Sequence, residues 1–243
     1  MDERSPAAAQ ARYWHLKQVA MFGGLPGTDI RRLGEHSETG LVEAGQHVYQ
    51  AGDPADSVYV LKSGRIKVTR AEDGKELILY FVSPGEILGE LTITGRRRRS
   101  GTATALEDAF ICAIGGASFE ELMLRHPKVA VEVVRVIGGR EERAERRALE
   151  MISKDVRTRL AHTLAELAAD FGEPRRRGVK LDLPLTQSDL AQLVGSTRET
   201  TSTVFNEFRR AGLVESAGRT IWVLDRERLQ RYSWPVGANG KAA

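Results

Sequence analysis

Apolar residues change their spacing along this chain, and each change marks a boundary between kinds of structure. Leu16, Val19, Phe22 and Leu25 recur near helical spacing until Gly23-Gly24 and Pro26-Gly27 interrupt them. This predicts a short helical cap, with a further turn over Asp29 to Leu33. Residues 1–15 read as a flexible leader. From about Gly40 to Ile114 the period falls to two: Ile66 and Val68 alternate with Lys67 and Thr69, and Phe110, Cys112 and Ile114 share a face. Turn signals recur at Gly45, Gly52-Asp53-Pro54, Ser63-Gly64, Asp73-Gly74 and Pro84-Gly85. Many short strands so punctuated predict a β-sandwich or barrel. Leu77 to Val82 is apolar without a break, as expected of a strand covered on both faces.

After Pro127 the period becomes helical. Ala130, Val134, Ile137, Glu141, Ala144, Ala148 and Met151 step by four and three in alternation, a heptad seam that predicts a long helix over 127–153 meeting one partner helix. A helix lying on its own β-domain gives a similar stripe, and the first half suits both. Arg140, Glu142, Arg143, Glu145, Arg146 and Arg147 read as its solvated outside. Gly138-Gly139 costs about 1 kcal/mol per Gly relative to Ala; a bend or a close backbone approach accounts for the pair.

Asp155 caps the next helix, whose stripe is Val156, Leu160, Leu164 and Leu167, so a domain boundary is expected at 153–155. Gly172 to Gly178 reads as a loop with a basic run. Two short helices follow whose start signals are both visible. Thr186-Gln187-Ser188-Asp189 has capping-box spacing ahead of Leu190, Leu193 and Val194, Gly195 ends that helix, and Ser196 to Glu199 forms a second S-x-x-E box. Helix, tight turn and helix within about 25 residues make a helix-turn-helix. In the second helix Thr201, Val204, Phe205 and Phe208 cluster on one side, while Glu199, Ser202, Thr203 and Asn206 lie opposite. Arg198 and Glu199 fall in its first turn, where Arg can read guanine bidentately and Glu can accept from cytosine N4. Leu213 to Glu215 and Thr220 to Leu224 flank Ala217-Gly218-Arg219 as a two-stranded wing. Asp225 caps a last helix to about Tyr232, and 233–243 read as a flexible tail.

Net charge is only +3, so DNA contact has to come from placed arginines rather than a bulk basic field. The one cysteine, Cys112, excludes an intramolecular disulfide and an all-Cys metal site within one chain; it reads as a small core residue. A reducing cytoplasm fits. No apolar run approaches the roughly 18 residues of a membrane span, and the first ten residues lack a signal core.

Four stretches carry a family resemblance: Gly52-Asp53-Pro54-Ala55-Asp56, Ser63 to Val68, Pro84 to Leu91, and Gly195-Ser196-Thr197-Arg198-Glu199-Thr200. With the order of elements, they resemble the cyclic-AMP receptor protein / fumarate-nitrate reductase regulator family of bacterial transcription factors, from about Leu16 to Leu229. The resemblance implies an α+β fold: a jelly-roll β-barrel of the cyclic-nucleotide-binding kind with N-terminal helices (16–126), a central dimerisation helix (127–153) and a C-terminal winged helix-turn-helix (154–232). It implies a homodimer bound to an inverted repeat and working with RNA polymerase.

Residue by residue, Arg198 and Glu199 match the family's base readers of TGTGA-like half-sites, with Ser202, Thr203, Thr186, Arg209 and Arg219 completing the expected DNA face. Thr203 departs from the second Arg of cyclic-AMP-binding members. Gly89-Glu90-Leu91 resembles the phosphate-binding cassette, and Arg99-Ser100 matches its Arg-Ser pair, a guanidinium suited to phosphate oxygens. Thr92 to Arg98 is a residue shorter than in the cyclic-AMP receptor, and Arg96 to Arg99 are four cations in a row. Two alternatives stand: an anionic nucleotide site, cyclic or otherwise, or a solvated basic loop on a barrel that has lost or changed its ligand. Ala144-Glu145 stands where the receptor offers Thr-Ser to the adenine, so cyclic AMP is expected to be a poor effector. With no N-terminal Cys cluster and no His ligand pattern, neither an iron-sulfur cluster nor haem is expected.

Two other classes bear comparison. A ligand-independent DNA-binding regulator shares every feature above except a working pocket. A small-barrel metal enzyme needs His-x-His with a carboxylate, whereas His15, His36, His47, His126 and His162 are scattered, and His162 with Glu166 reads as surface polarity.

Overall fold

The alternating stretch forms eight strands in two antiparallel sheets, and the faces they bury account for the pattern. In this computed structural model, which describes residues 6–232, α1 (Pro6–Lys17), a 3-10 turn (Ala20–Phe22) and α2 (Gly27–Glu35) precede β1 (Ser37–Val42). There follow β2 (His47–Tyr49), β3 (Ser57–Ser63), β4 (Ile66–Glu72), β5 (Lys75–Val82), β6 (Ile87–Leu88), a 3-10 turn (Glu90–Thr94), β7 (Thr102–Ala105) and β8 (Ala109–Gly115). One sheet has the order β1-β8-β3-β6 and the other β2-β7-β4-β5. The fold is the expected jelly roll, with its two sheets not joined into a closed barrel.

Even-numbered Val58, Val60, Cys112 and Ile114 of the first sheet pack on Leu16, Val19, Phe22, Ile30, Leu33, Phe119, Leu122, Val129 and Val133 of the helices. Odd-numbered Leu61, Ala109 and Ile111 turn the other way, onto Ile66, Val68, Val82 and Ala103 of the second sheet. A period of two thus serves two cores at once. Cys112 is fully buried, and burial raises its thiol pKa, in keeping with a core residue.

Expectations for the leader and for β5 need correction here. The chain is already helical at Pro6, inside the stretch read as a leader; residues 1–5 and the tail 233–243 lie outside the described residues. β5 is an edge strand, and Leu77, Leu79 and Tyr80 are only half-buried. Its hairpin with β4 turns through Asp73 (φ 50°) and Gly74 (φ 75°), the two left-handed residues of a tight Asp-Gly turn. A separate α3 (Gly116–Arg125) precedes α4 (Pro127–Ser153), broken at His126 because the residue before proline is pushed out of the helical region.

The chain divides into two compact units, up to Arg143 and from Ala144, so the boundary lies inside α4 rather than at 153–155. The reason is that the last turns of α4 bind their own unit: Arg146 pairs with Glu166 at 3.0 Å, and Glu150 with Lys154 at 2.6 Å and His162 at 3.2 Å. That unit holds α5 (Val156–Asp170), β9 (Gly172–Arg175), β10 (Gly178–Leu181), α6 (Gln187–Val194), α7 (Arg198–Arg210), β11 (Val214–Ala217), β12 (Thr220–Val223) and α8 (Arg226–Gln230), with sheet order β11-β12-β10-β9. The expected basic loop is therefore a hairpin, β9 to β10, turning at Arg176-Arg177.

His15 sits in α1 at 5 % exposure, and its Nε2 has no hydrogen-bond partner. Burial, helped by the Lys62 charge, lowers its pKa to about 4. Below its ordinary value near 6.5 the unfolded chain takes up a proton that the folded chain refuses, so stability falls with pH. Denaturation at pH 7.5 and pH 5 should show a loss of about 2 kcal/mol from this group, absent from His15→Leu; equal losses in both proteins would assign the effect to other groups.

Candidate nucleic-acid interface and effector pocket

The helix-turn-helix is built by caps. Thr186 Oγ1 accepts from the Asp189 amide at 3.1 Å while Asp189 Oδ2 accepts from the Thr186 amide at 2.8 Å, a reciprocal box that starts α6. Gly195 (φ 60°, ψ 51°) ends it in the left-handed region, and its amide and that of Ser196 both point back to Ala191 O. This commits Ser196 to the turn. The cap of α7 is accordingly Thr197, one residue later than the spacing suggested, with its Oγ1 accepting from Thr200 N at 3.2 Å.

Thr201, Val204, Phe205 and Phe208 are buried, which turns the opposite face of α7 outward. Arg198, Glu199, Thr203 and Arg209 are exposed and Ser202 is half-buried. Thr203 Oγ1 donates to Glu199 O at 3.0 Å. Thr186 is exposed but its hydroxyl already serves the cap, donating to Asp189 Oδ2 at 2.6 Å. On the wing, exposed Arg219 donates through Nε to Pro184 O at 3.1 Å, tying β11-β12 to the loop before α6. Arg157 of α5 grips Glu207 of α7 with both terminal nitrogens. Sequence reasoning missed these two anchors. His162 is not the surface group expected: it is half-buried, its Nδ1 meets Glu150 and Lys154 and its Nε2 meets Tyr232 O at 3.0 Å, while Glu166 pairs with Arg146.

The second site gathers in the N-terminal unit. Of the four consecutive arginines only Arg99 turns inward; Arg96, Arg97 and Arg98 are exposed on a segment pinned by Ala55 N to Arg97 O (3.0 Å) and Arg99 N to Asp53 O (2.9 Å). The Arg99 guanidinium donates to Ser57 O at 2.6 Å, to Gly89 O at 3.2 Å and to Thr92 Oγ1 at 3.1 Å. It lies 4.5 Å from the Tyr49 ring centroid and 5.5 Å from that of Tyr59. Gly89 takes φ 76°, and a Cβ there would stand 2.7 Å from Arg99 Nη1, so glycine is required twice over. Leu91 and Ser100 are exposed.

Glu90 is buried and pairs with Arg140 at 2.7 Å. Arg140 also donates to Ile87 O at 2.7 Å and lies 4.0 Å from the Tyr80 ring centroid. Burial opposes its charge, but Tyr80 and Glu90 outweigh burial and raise its pKa. Burial likewise raises the Tyr49 phenol to about 12 and that of Tyr80 further, against the pull of the arginines. Arg140 corrects the reading of a charged outside. It follows Val129, Val133 and Val136 on the inward stripe of α4, a spacing visible in the sequence. Tyr49, Tyr59 and Tyr80 carried no signal beyond strand patterning.

On α4 the most exposed apolar residues are Val131, Val134, Leu149 and Ile152, at 50, 67, 67 and 86 %. Glu141, Ala144 and Ala148 are exposed and Ala130 is half-buried. Ile137 packs on its own core, and Met151 lies over Gly195 of its own unit. Gly138 has open space where a Cβ would stand.

A capped helix-turn-helix with a wing, in a chain that also holds a jelly roll lined by buried arginines, defines the class of DNA-binding transcription regulators. The model of the cyclic nucleotide-binding domain matches residues 41–126, and that of the Crp-like helix-turn-helix domain residues 158–232. The chain belongs to the cyclic-AMP receptor protein / fumarate-nitrate reductase regulator family. It is 29% identical over 217 residues to the CRP-like cAMP-activated global transcriptional regulator of Mycobacterium tuberculosis, covering 89% of this chain and 97% of that one. It is 29% identical over 189 residues to the fumarate and nitrate reduction regulatory protein of Vibrio cholerae, covering 77% and 75%. The c-di-GMP-responsive regulator CLP of Xanthomonas campestris shares the fold, with TM-score 0.72 at 23% identity over 82% of this chain and 100% of that one.

Arg140→Met should leave the Glu90 carboxylate buried without its partner and destabilise the N-terminal unit by about 3 kcal/mol. Thermal or urea unfolding measures this, and a change near zero would mean that the pair contributes nothing beyond its own desolvation.

Proposed function

We propose that the protein is a homodimer that reads an inverted repeat with α7 and is modulated by an anionic, nucleotide-like effector held at Glu90 and Arg99. The observation that carries the DNA reading is the outward face of α7, with Arg198 and Glu199 free at the helix start while the opposite face is buried. Ser202 and Thr203 extend that face. Arg209, Arg219 and the α6 start at Thr186 suit the phosphate backbone, which positions without specifying. RNA polymerase and a cytoplasmic setting belong to the same reading. Dimerisation is assigned to the exposed stripe of α4, where Val134, Glu141, Ala144 and Ala148 join Val131, Leu149 and Ile152; bare Gly138 would allow a partner helix close approach.

The effector reading rests on charge. Glu90 is matched by Arg140 while the buried Arg99 guanidinium bonds only to neutral oxygens, so a monoanion would complete the balance, and Arg99 Nε and Glu90 Oε2 are buried without hydrogen-bond partners. Unpaired buried atoms of this kind favour a ligand that supplies one acceptor and one donor. A second, ligand-independent reading is favoured by a different observation: Arg99 already spends three bonds on Ser57, Gly89 and Thr92.

Two half-sites with centres about 34 Å apart, one turn of B-DNA, should be bound tightly. Glu199→Ala should relax preference at one base pair by about 1 to 3 kcal/mol, whereas Arg209→Ala should weaken all sequences alike. Val134→Asp should yield monomers by sedimentation that lose the operator. Equal affinity of the parent for scrambled and palindromic duplexes would sink the DNA reading.

Cyclic AMP should stimulate little, because Ala144-Glu145 stands, by the family resemblance, where the receptor has Thr-Ser: Ala144 offers no hydrogen bond and Glu145 adds a negative charge, and each unpaired polar edge costs about 1 to 3 kcal/mol. Operator affinity with and without saturating cyclic AMP, in the wild type and in Arg99→Ala, decides the matter. Large stimulation abolished in the variant would overturn this expectation.

A further inference from the structure

We infer that Met151 and Arg159 form a strut by which the end of α4 positions the recognition helix. The inference rests on the proposed reading of α4 as the dimer helix and α7 as the DNA reader. It starts from Gly195, the turn between α6 and α7. A Cβ placed there would lie 3.1 Å from Met151 Cε and 3.6 Å from its Sδ, so the thioether covers a turn that is left-handed and bare of any side chain. Met151 had the spacing of a seam residue, yet its side chain points into its own unit and is 36 % exposed.

Arg159, in the first turns of α5, closes the same junction from the other side. Its Nη1 donates to Lys154 O at 2.8 Å, one residue beyond the end of α4, while Nε donates to Val194 O at 2.9 Å and Nη2 to Gly195 O at 3.5 Å. One planar guanidinium thus holds the carbonyl that follows α4 and the carbonyls that end α6. A cation at that helix terminus is favoured by its exposed carbonyl dipoles. Thr197, the cap of α7, lies two residues beyond Gly195.

The consequence concerns neighbours on α4. Leu149 and Ile152 flank Met151 in sequence and are its most exposed apolar companions. A partner helix that covers them fixes where Met151 stands, and Met151 with Arg159 fixes the turn that starts α7.

The test uses the full chain with Met151→Ala and the volume-conserving Met151→Leu, and Arg159→Lys as a second route to the same junction. Hydrogen exchange of the Ser196 to Thr201 amides without DNA reads the strut directly; operator-to-scrambled affinity ratio, salt dependence and sedimentation read its purpose. Expected for Met151→Ala are faster exchange at those amides and a ratio lowered about tenfold, the scale of one base contact, with the dimer and the salt dependence retained. Met151→Leu should recover most of the ratio, and Arg159→Lys should lower it. Unchanged exchange in both Met151→Ala and Arg159→Lys would overturn the strut whatever DNA does. Equal loss on operator and scrambled duplexes, or dissociation to monomers, would also overturn it, as a merely structural or dimer contact. Faster exchange in a protein whose parent ignores sequence would instead overturn the regulator reading and, with it, the positioning role.

Discussion

Burying Arg140 ties the N-terminal unit together at three points. A guanidinium taken out of water has to be met by a countercharge and by acceptors, or the fold loses several kcal/mol. Glu90 supplies the charge, Ile87 O an acceptor and Tyr80 a ring face. Those partners come from β5, β6 and the turn after it, so a single side chain of α4 fixes the helix to three successive elements. The arrangement of residues 89–92 follows from the same demand. Gly89 leaves room for Arg99, Glu90 answers Arg140, and Thr92 offers Arg99 a hydroxyl.

The C-terminal unit solves a different problem, that of two short helices meeting at a sharp turn. Eight residues of α6 are too few to be stable alone, and the reciprocal Thr186–Asp189 box, the left-handed Gly195 and the burial of Leu190, Leu193 and Val194 hold them. With Phe205 and Phe208 anchored and Glu207 gripped by Arg157, α7 is fixed along its length while its opposite face stays exposed.

Much of this was legible in the chain because its signals are local. Caps, turn glycines and periodicities lie within a few residues of what they specify, so the helix-turn-helix, the wing and the jelly roll could be read directly. What escaped depended on pairing across sequence. Arg140 looked like surface charge because its partner Glu90 is fifty residues away in the fold's other element. Ser196 and Thr197 are both good caps, and only the geometry after Gly195 selects the second. The run Gly172 to Gly178 looked like a loop because its strand pairing with Val179 and Lys180 leaves polar residues on both faces. Ile137 and Met151 kept heptad spacing while serving their own units, since positions three and four apart also line the face by which a helix packs on its own domain.

The two sheets differ in a way that bears on how such a protein can diverge. Every strand of β1-β8-β3-β6 that carries Val58, Val60, Leu61, Cys112 or Ile114 is answered on both sides by packed neighbours, so a change of one methylene there is felt by helices or by the opposite sheet. The outer side of β2-β7-β4-β5 instead presents His47, Lys67, Thr102 and Thr104 at its surface or half-buried. Mutational drift is therefore channelled: the first sheet is a fixed chassis, and the second offers positions where new side chains can accumulate without disturbing the arginines inside.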